Sequence, residues 1–175
     1  MSERRHPNVV HIDDVTPREP SRGKLGFRGR RLGPEAGGRA LGVTYIELAP
    51  GKTAFPNHWH SAIEEGIYVL EGTGTMRIAD KTVPVHPGDY IALPPGPATT
   101  HQLTNTGAVA MRYLALSAPA AATTMDVVVY PDSNKVSYAT GVDPVKGFAG
   151  GTWILGIHKQ QPPVDYYLDE PLAQE

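Results

Sequence analysis

Four side chains in this sequence could do chemistry together. His58 and His60 are two residues apart, so on an extended chain both imidazoles face the same side. Glu65 follows after a short turn, at the start of the next strand-like run. His101 comes one strand–turn–strand unit later, just beyond Pro94-Pro95-Gly96. If these strands line one barrel, three imidazoles and one carboxylate can converge. Such a mixed nitrogen and oxygen set suits one divalent transition metal, whether Fe, Mn, Ni, Co, Cu or Zn. An octahedral ion with four protein ligands keeps two positions open for water, substrate or dioxygen, which is what separates a catalytic metal from a structural one. Taken singly, each histidine reads as a surface or hydrogen-bonded side chain; four ligand types in this order on strand-like segments reverse that reading.

The elements that must position them are short and extended. VTYIELAPG reads as a strand closed by a Pro-Gly turn. EGIYVLEG and GTMRIAD read as a hairpin about Gly72, and TVPVHPGD, YIALPPG, HQLTN and VAMRYLALS complete the run. Short strands with regular turn signals indicate an all-β protein, an antiparallel sandwich or barrel. No second copy of the pattern is present, so one barrel is expected. Residues 1–22 are polar, carry Pro7, Pro17 and Pro20 and read as a flexible arm. The barrel is expected over 23–117 and a C-terminal extension over 118–175, packing on the barrel or on a partner subunit. In that extension TMDVVVYPDSNKV looks like a further strand and turn.

Composition narrows the function classes. At 175 residues, one domain with a real core is expected. The 19 glycines and 17 prolines fit many turns. A formal charge of −2 gives no field to draw nucleic acid or an anionic membrane. The chain has no cysteine, which removes disulfides and thiolate metal sites. No segment reaches the roughly 20 apolar residues of a membrane span, and the first residues lack a secretory apolar stretch. A cytoplasmic protein is expected.

The two stretches around these ligands resemble the cupin superfamily, the germin-like double-stranded β-helix or jelly-roll proteins. The first family motif is matched by Gly51, His58, His60, Glu65 and Gly72, and the second by Gly88, Pro94, Gly96, His101 and Asn105. The gaps from Gly51 to His58 and from Gly96 to His101 are one and two residues longer than the usual pattern, both within turns. The resemblance covers roughly residues 43–117 and implies that His58, His60, Glu65 and His101 hold the metal, while Asn105 does not. It also selects Glu65 over its neighbour Glu64, which alternation sends to the other face. A closer resemblance, carried by YVLEGTGTMRIAD, GDYIALPPG, YPDSNKV and DYYLDE, is to small single-domain bacterial cupins, some of them called sugar-phosphate isomerases. A homodimer is implied as well.

The function expected is therefore a mononuclear metalloenzyme acting on a small oxygen-rich molecule such as a sugar phosphate, hydroxy-carbonyl or carboxylate. Lewis-acid isomerisation or epimerisation, or dioxygenase chemistry with Fe(II), would use such a site. The alternative is a non-catalytic cupin that binds or senses a small ligand or a metal. No motif singles out a general base. The basic cluster Arg28, Arg30 and Arg31 reads first as a solvated edge and second as an anion site. His6, His11, His86 and His158 read as bystanders, and Trp59 points away from the ligands. Met76 and Ile78 are expected inside the barrel; for Arg112 and Tyr113, which face opposite ways, the inward one is not decided. Asp165, Tyr166, Tyr167, Asp169 and Glu170 read as a lid, a dimer contact or a solvated tail.

Overall fold

The computed structural model describes residues 5–119, 125–140, 154–166 and 168–169. Nearly every regular element is a strand. The first strands form one short pair, β1 (Ser21–Arg22) with β2 (Leu25–Gly26), followed by β3 (Arg28–Arg31), a single helical turn α1 (Leu32–Glu35) and β4 (Gly42–Leu48). The central run is β5 (Trp59–His60), β6 (Ile63–Glu71), β7 (Gly74–Ile78), β8 (Lys81–Val85), β9 (Tyr90–Leu93), β10 (His101–Thr104) and β11 (Met111–Pro119). Beyond it come β12 (Asp126–Tyr130), β13 (Lys135–Thr140) and β14 (Ile154–Lys159).

Pairing is antiparallel between the named strands. One sheet runs β3-β4-β11-β6-β9 and a second runs β10-β7-β8. A third, β14-β13-β12-β5, joins the second through single bridges such as His58 with His101. The sheets face each other as a jelly roll and do not close into one continuous barrel, so the fold is the expected all-β one with an open seam.

Alternation decides what lies between the sheets. Ile46 and Leu48 of β4, Ile67 and Val69 of β6, Met76 of β7, Leu103 of β10 and Met111 and Tyr113 of β11 are all buried in one core cluster. Ile78 packs against that cluster from β7. The intervening residues Tyr68, Leu70 and Arg77 are exposed, as a period of two requires. Tyr113 is thus the inward member of its pair. Arg112 faces out, where it pairs with Glu71 and lies 3.5 Å from Glu47.

Turn chemistry fixes the register that the site depends on. Gly72, between β6 and β7, has φ +74°, and a Cβ there would stand 2.8 Å from the Ala110 carbonyl. Only glycine satisfies both conditions without displacing backbone. Asn105 ends β10 fully buried. Its amide donates to the Leu48 carbonyl at 2.6 Å and the Val109 carbonyl at 2.8 Å, and its carbonyl accepts from the Gly107 N–H at 2.9 Å. It staples β4, β10 and the loop before β11. Replacing it takes a partner from three backbone groups, of which the Leu48 carbonyl is buried. Asn105→Ala should therefore cost about 2–4 kcal/mol of stability in urea unfolding of the metal-free chain. A change below about 0.5 kcal/mol would show that the loop finds other partners.

Candidate metal centre

The four sequence-selected residues arrive from four places in the fold. His58 closes an extended segment that runs beside β10, exchanging backbone hydrogen bonds with His101 at 3.1 and 2.8 Å. His60 lies on β5, opposite Val128 of β12. Glu65 lies on the inner face of β6, in line with Ile67 and Val69, while Glu64 is exposed on the outer face. Its cross-strand neighbours are Ser117 on β11 and Leu93 on β9.

All three imidazoles aim the same nitrogen at the same oxygen. Glu65 Oε2 is 3.7 Å from His58 Nε2, 3.4 Å from His60 Nε2 and 3.2 Å from His101 Nε2. One ligand atom each from His58, His60 and Glu65 lies within 4.8 Å of the others, a spacing that can hold a metal ion.

The opposite ring nitrogens explain the aim. His58 Nδ1 is 2.8 Å from the Pro56 carbonyl and His101 Nδ1 is 2.9 Å from the Thr99 carbonyl. His60 Nδ1 is 2.6 Å from Asp126 Oδ2. Each partner can only accept, so each Nδ1 carries the proton and donates it. The Nε2 atoms are then left with a lone pair whenever the rings are neutral. Three lone pairs and a carboxylate facing one another in a buried site repel, unless protons or a cation sit between them. The donor set therefore fits a divalent ion.

Asp126 is the residue that sequence reading missed. It is buried, and it accepts from the Ala62 N–H at 3.1 Å and the Ser61 hydroxyl at 3.4 Å as well as from His60. Nothing local marks it, because its partner lies 66 positions away. The same strand brings the Tyr130 ring to 6.0 Å from His58, nearly parallel to it. Asp132, in the turn after β12, grips Arg77 of β7 at 2.6 Å and accepts from Asn57 at 3.1 Å, fixing that turn beside the site.

Electrostatics follow the geometry in the metal-free chain. Burial pulls the His60 pKa down, but the Asp126 hydrogen bond and the charges of Glu65 and Asp126 prevail and leave it raised. Burial pushes Glu65 up, but the His101, His58 and His60 imidazoles that face its carboxylate hold it well below the usual carboxylate range. Asp126 is lowered in the same way: burial opposes ionisation, and the His60 hydrogen bond overcomes it.

A cavity of about 530 Å³ opens onto Glu65, with Phe27, Phe55, Arg18, Arg31, Thr44 and Ser117 in its wall. A smaller hollow of about 40 Å³ runs against His58, Glu65, His101 and Tyr113, sharing Phe55 as a wall. The bystander histidines lie elsewhere. His6, His11 and His86 are exposed, and His158 stacks on Tyr138 in the β13–β14 pair. Of the tail residues, Tyr167 and Glu170 lie outside the described residues, whereas Asp165, Tyr166 and Asp169 are exposed.

Known proteins share this architecture. Residues 44–117 match the Cupin domain family. A proposed sugar phosphate isomerase from Acidithiobacillus ferrooxidans has 26% sequence identity and a TM-score of 0.64, with 86% of this chain and 82% of that chain covered. A cupin-superfamily sugar phosphate isomerase from Silicibacter pomeroyi superimposes with a TM-score of 0.72 over 90% of this chain and 97% of that one; at 21% identity it shows the fold alone. An uncharacterized protein of Methanocaldococcus jannaschii is 39% identical over 62 residues, 35% of this chain and 48% of that protein. The chain thus spans about half the length of that curated relative.

The shifted groups set a pH window for the metal-free chain. His60, raised on folding, stabilises the fold below its unfolded value and stops doing so as pH rises through its folded value. Glu65 and Asp126, lowered on folding, stabilise above their unfolded values and stop as pH falls through their folded ones. Stability of metal-free protein should therefore peak between about pH 4.5 and 6.5, read from thermal unfolding across pH. Asp126→Asn should flatten that peak and weaken metal binding by about 10- to 100-fold in a chelator competition. Unchanged affinity would mean that Asp126 does not support the ring of His60.

Proposed function

Given that residues 44–117 are a cupin domain, we propose that this protein is a mononuclear metalloenzyme acting on a small oxygen-rich substrate. His58, His60, Glu65 and His101 are the proposed ligands. The observation that carries this reading is the shared aim of three Nε2 atoms at one carboxylate oxygen of Glu65, a residue that also lines a cavity large enough for a small molecule. A bound divalent ion would supply Lewis acidity, polarising a hydroxy-carbonyl or carboxylate oxygen and easing proton loss beside it.

The rest is the work of the chain's own residues. The Pro56 and Thr99 carbonyls and Asp126 hold the rings in one tautomer, so no reorganisation is needed when the site fills. Phe27 and Phe55, with ring centroids 4.7 Å apart, form an apolar wall that limits water. Tyr113 faces the inner hollow with its pKa pushed up by burial and then by the charge of Glu65, so its hydroxyl stays protonated and can donate a hydrogen bond but not serve as a general base.

Isomerisation or epimerisation is the reaction class favoured, supported by likeness over most of both chains to the A. ferrooxidans protein. A homodimer and a cytoplasmic location belong to the same proposal. The dimer is supported by β14, an edge strand among the described residues, whose exposed Leu155 and Ile157 face one way; sedimentation equilibrium would show a single monomeric species if it is wrong. The division into arm (1–22), barrel (23–117) and extension (118–175) is likewise proposed, with both outer segments serving the site.

The test loads full-length protein separately with Mn, Fe, Co, Ni, Cu and Zn and screens aldose and ketose phosphates, hydroxy-ketones and keto acids, with and without oxygen. Turnover independent of oxygen, lost at least ~100-fold in Glu65→Gln, is expected. Oxygen consumption coupled to substrate loss would replace isomerase with dioxygenase. Stoichiometric ligand binding without turnover would make the protein a binding module.

A further inference from the structure

We propose that Arg31 and Arg18 form an anion-recognition cleft at the mouth of the cavity, and that the molecule bound there carries a phosphate group at the end remote from Glu65. That this molecule is a substrate rests on the metalloenzyme reading; the cleft itself does not.

The register of β3 against β4 separates the three basic residues. Arg28 lies opposite Glu47 and Arg30 opposite Tyr45, whereas Gly29 lies opposite Ile46 and Arg31 opposite Thr44. Directly opposed residues share a face. Ile46 is in the core, so Gly29 and Arg31 face inward and Arg28 and Arg30 face outward. The outward pair is consumed. Arg30 Nη1 is 2.7 Å from Glu47, and Arg28 Nε is 2.9 Å from Glu19. The inward Arg31 is half-buried in the cavity wall and makes no ion pair or side-chain hydrogen bond among the described residues.

Arg18 stands next to it by a different route. Its backbone exchanges two hydrogen bonds of 2.8 Å with Gly29, which holds it against the edge of β3. Arg18 also lines the cavity and is likewise without an ion pair among the described residues. Glu19 lines the same cavity, but its carboxylate is engaged by Arg28 and does not neutralise the two free cations. Two unpaired guanidiniums in a concave wall, one of them half-buried, recognise an oxyanion by charge-assisted hydrogen bonds.

The spacing selects the length of the molecule. Arg31, Thr44, Ala115 and Ile67 form one row across β3, β4, β11 and β6, and Glu65 is the next inward residue along β6. Three strand spacings of ~4.8 Å separate the ends of that row. The reach of the Arg and Glu side chains leaves a gap on the order of 5–8 Å, roughly the span of a three- to five-carbon chain. Thr44 and Ser117 line the cavity between these ends; a Cβ on Gly42 would meet Ser117 Oγ at 2.1 Å, so that glycine makes room for the hydroxyl. Two guanidiniums, with five N–H donors each, offer more donors than the two oxygens of a carboxylate can use. A phosphomonoester, with three terminal oxygens, uses them better.

The test is calorimetric titration of full-length protein, metal-free and metal-loaded, with inorganic phosphate and separately with glycolate. Wild type should bind one phosphate per chain in both forms and bind glycolate more weakly. Arg31→Gln should weaken phosphate binding about 10- to 100-fold and Arg31→Lys less so, with circular dichroism and metal content unchanged. Arg18→Gln should also weaken it, whereas Arg22→Gln, on β1, should stay within about twofold. Equal phosphate binding by wild type and Arg31→Gln, or no saturable binding in either form, overturns the cleft. Glycolate binding that depends on Arg31 while phosphate does not bind overturns the choice of phosphate. Arg31-dependent phosphate binding by a chain that never retains metal leaves the cleft standing and removes the metal-centre reading instead.

Discussion

Three imidazole nitrogens and a carboxylate oxygen share a buried volume only if something positive lies between them, and the fold is arranged around that requirement. Glu65 Oε2 is within 3.2–3.7 Å of each Nε2. Each ring is turned by an acceptor on its far side, two of them main-chain carbonyls that no side-chain substitution removes directly. Like-signed lone pairs held together in this way are costly in a medium of low dielectric, and relief of that cost is what would draw a cation to the proposed site. The jelly roll supplies the rigidity. His58 and His101 are locked as a backbone pair, and Glu65 stands mid-sheet with strands on both sides.

Outer segments complete the centre. Asp126 on β12 orients His60, and Asp132 ties the following turn to Arg77 of β7. At the other end of the chain, Arg18 lies along β3 and brings its side chain to the cavity. The residues that hold the centre and the residues that shape access to it therefore come from different parts of the sequence, one set close in number and the other far apart.

That division also explains how much was legible beforehand. The common face of His58 and His60 could be read from local alternation, whereas the grouping of Glu65 and His101 with them came from the resemblance to the cupin motifs. Alternation put Glu64 outside, and the resemblance to cupins put Met76 inside, as found. Arg112 and Tyr113 could not be ordered, because the pattern gives a relative phase and not its sign; the buried neighbours Met111 and Tyr113 supply the sign. Asp126 was invisible because its role depends on a pairing between β5 and β12 that no nearby residue announces. Arg31 looked equivalent to Arg28 and Arg30 until the β3–β4 register placed it alone on the inner face. The open seam between sheets was not foreseen either, since strand count and turn spacing do not distinguish a closed barrel from facing sheets.

Anomalous diffraction from crystals of metal-loaded protein, collected on either side of the absorption edge of the added ion, tests the central claim most directly. The account predicts one ion per chain, about 2.0–2.2 Å from the Nε2 atoms of His58, His60 and His101 and from an oxygen of Glu65. An anomalous peak elsewhere, or none at that point in a fully folded chain, would contradict it.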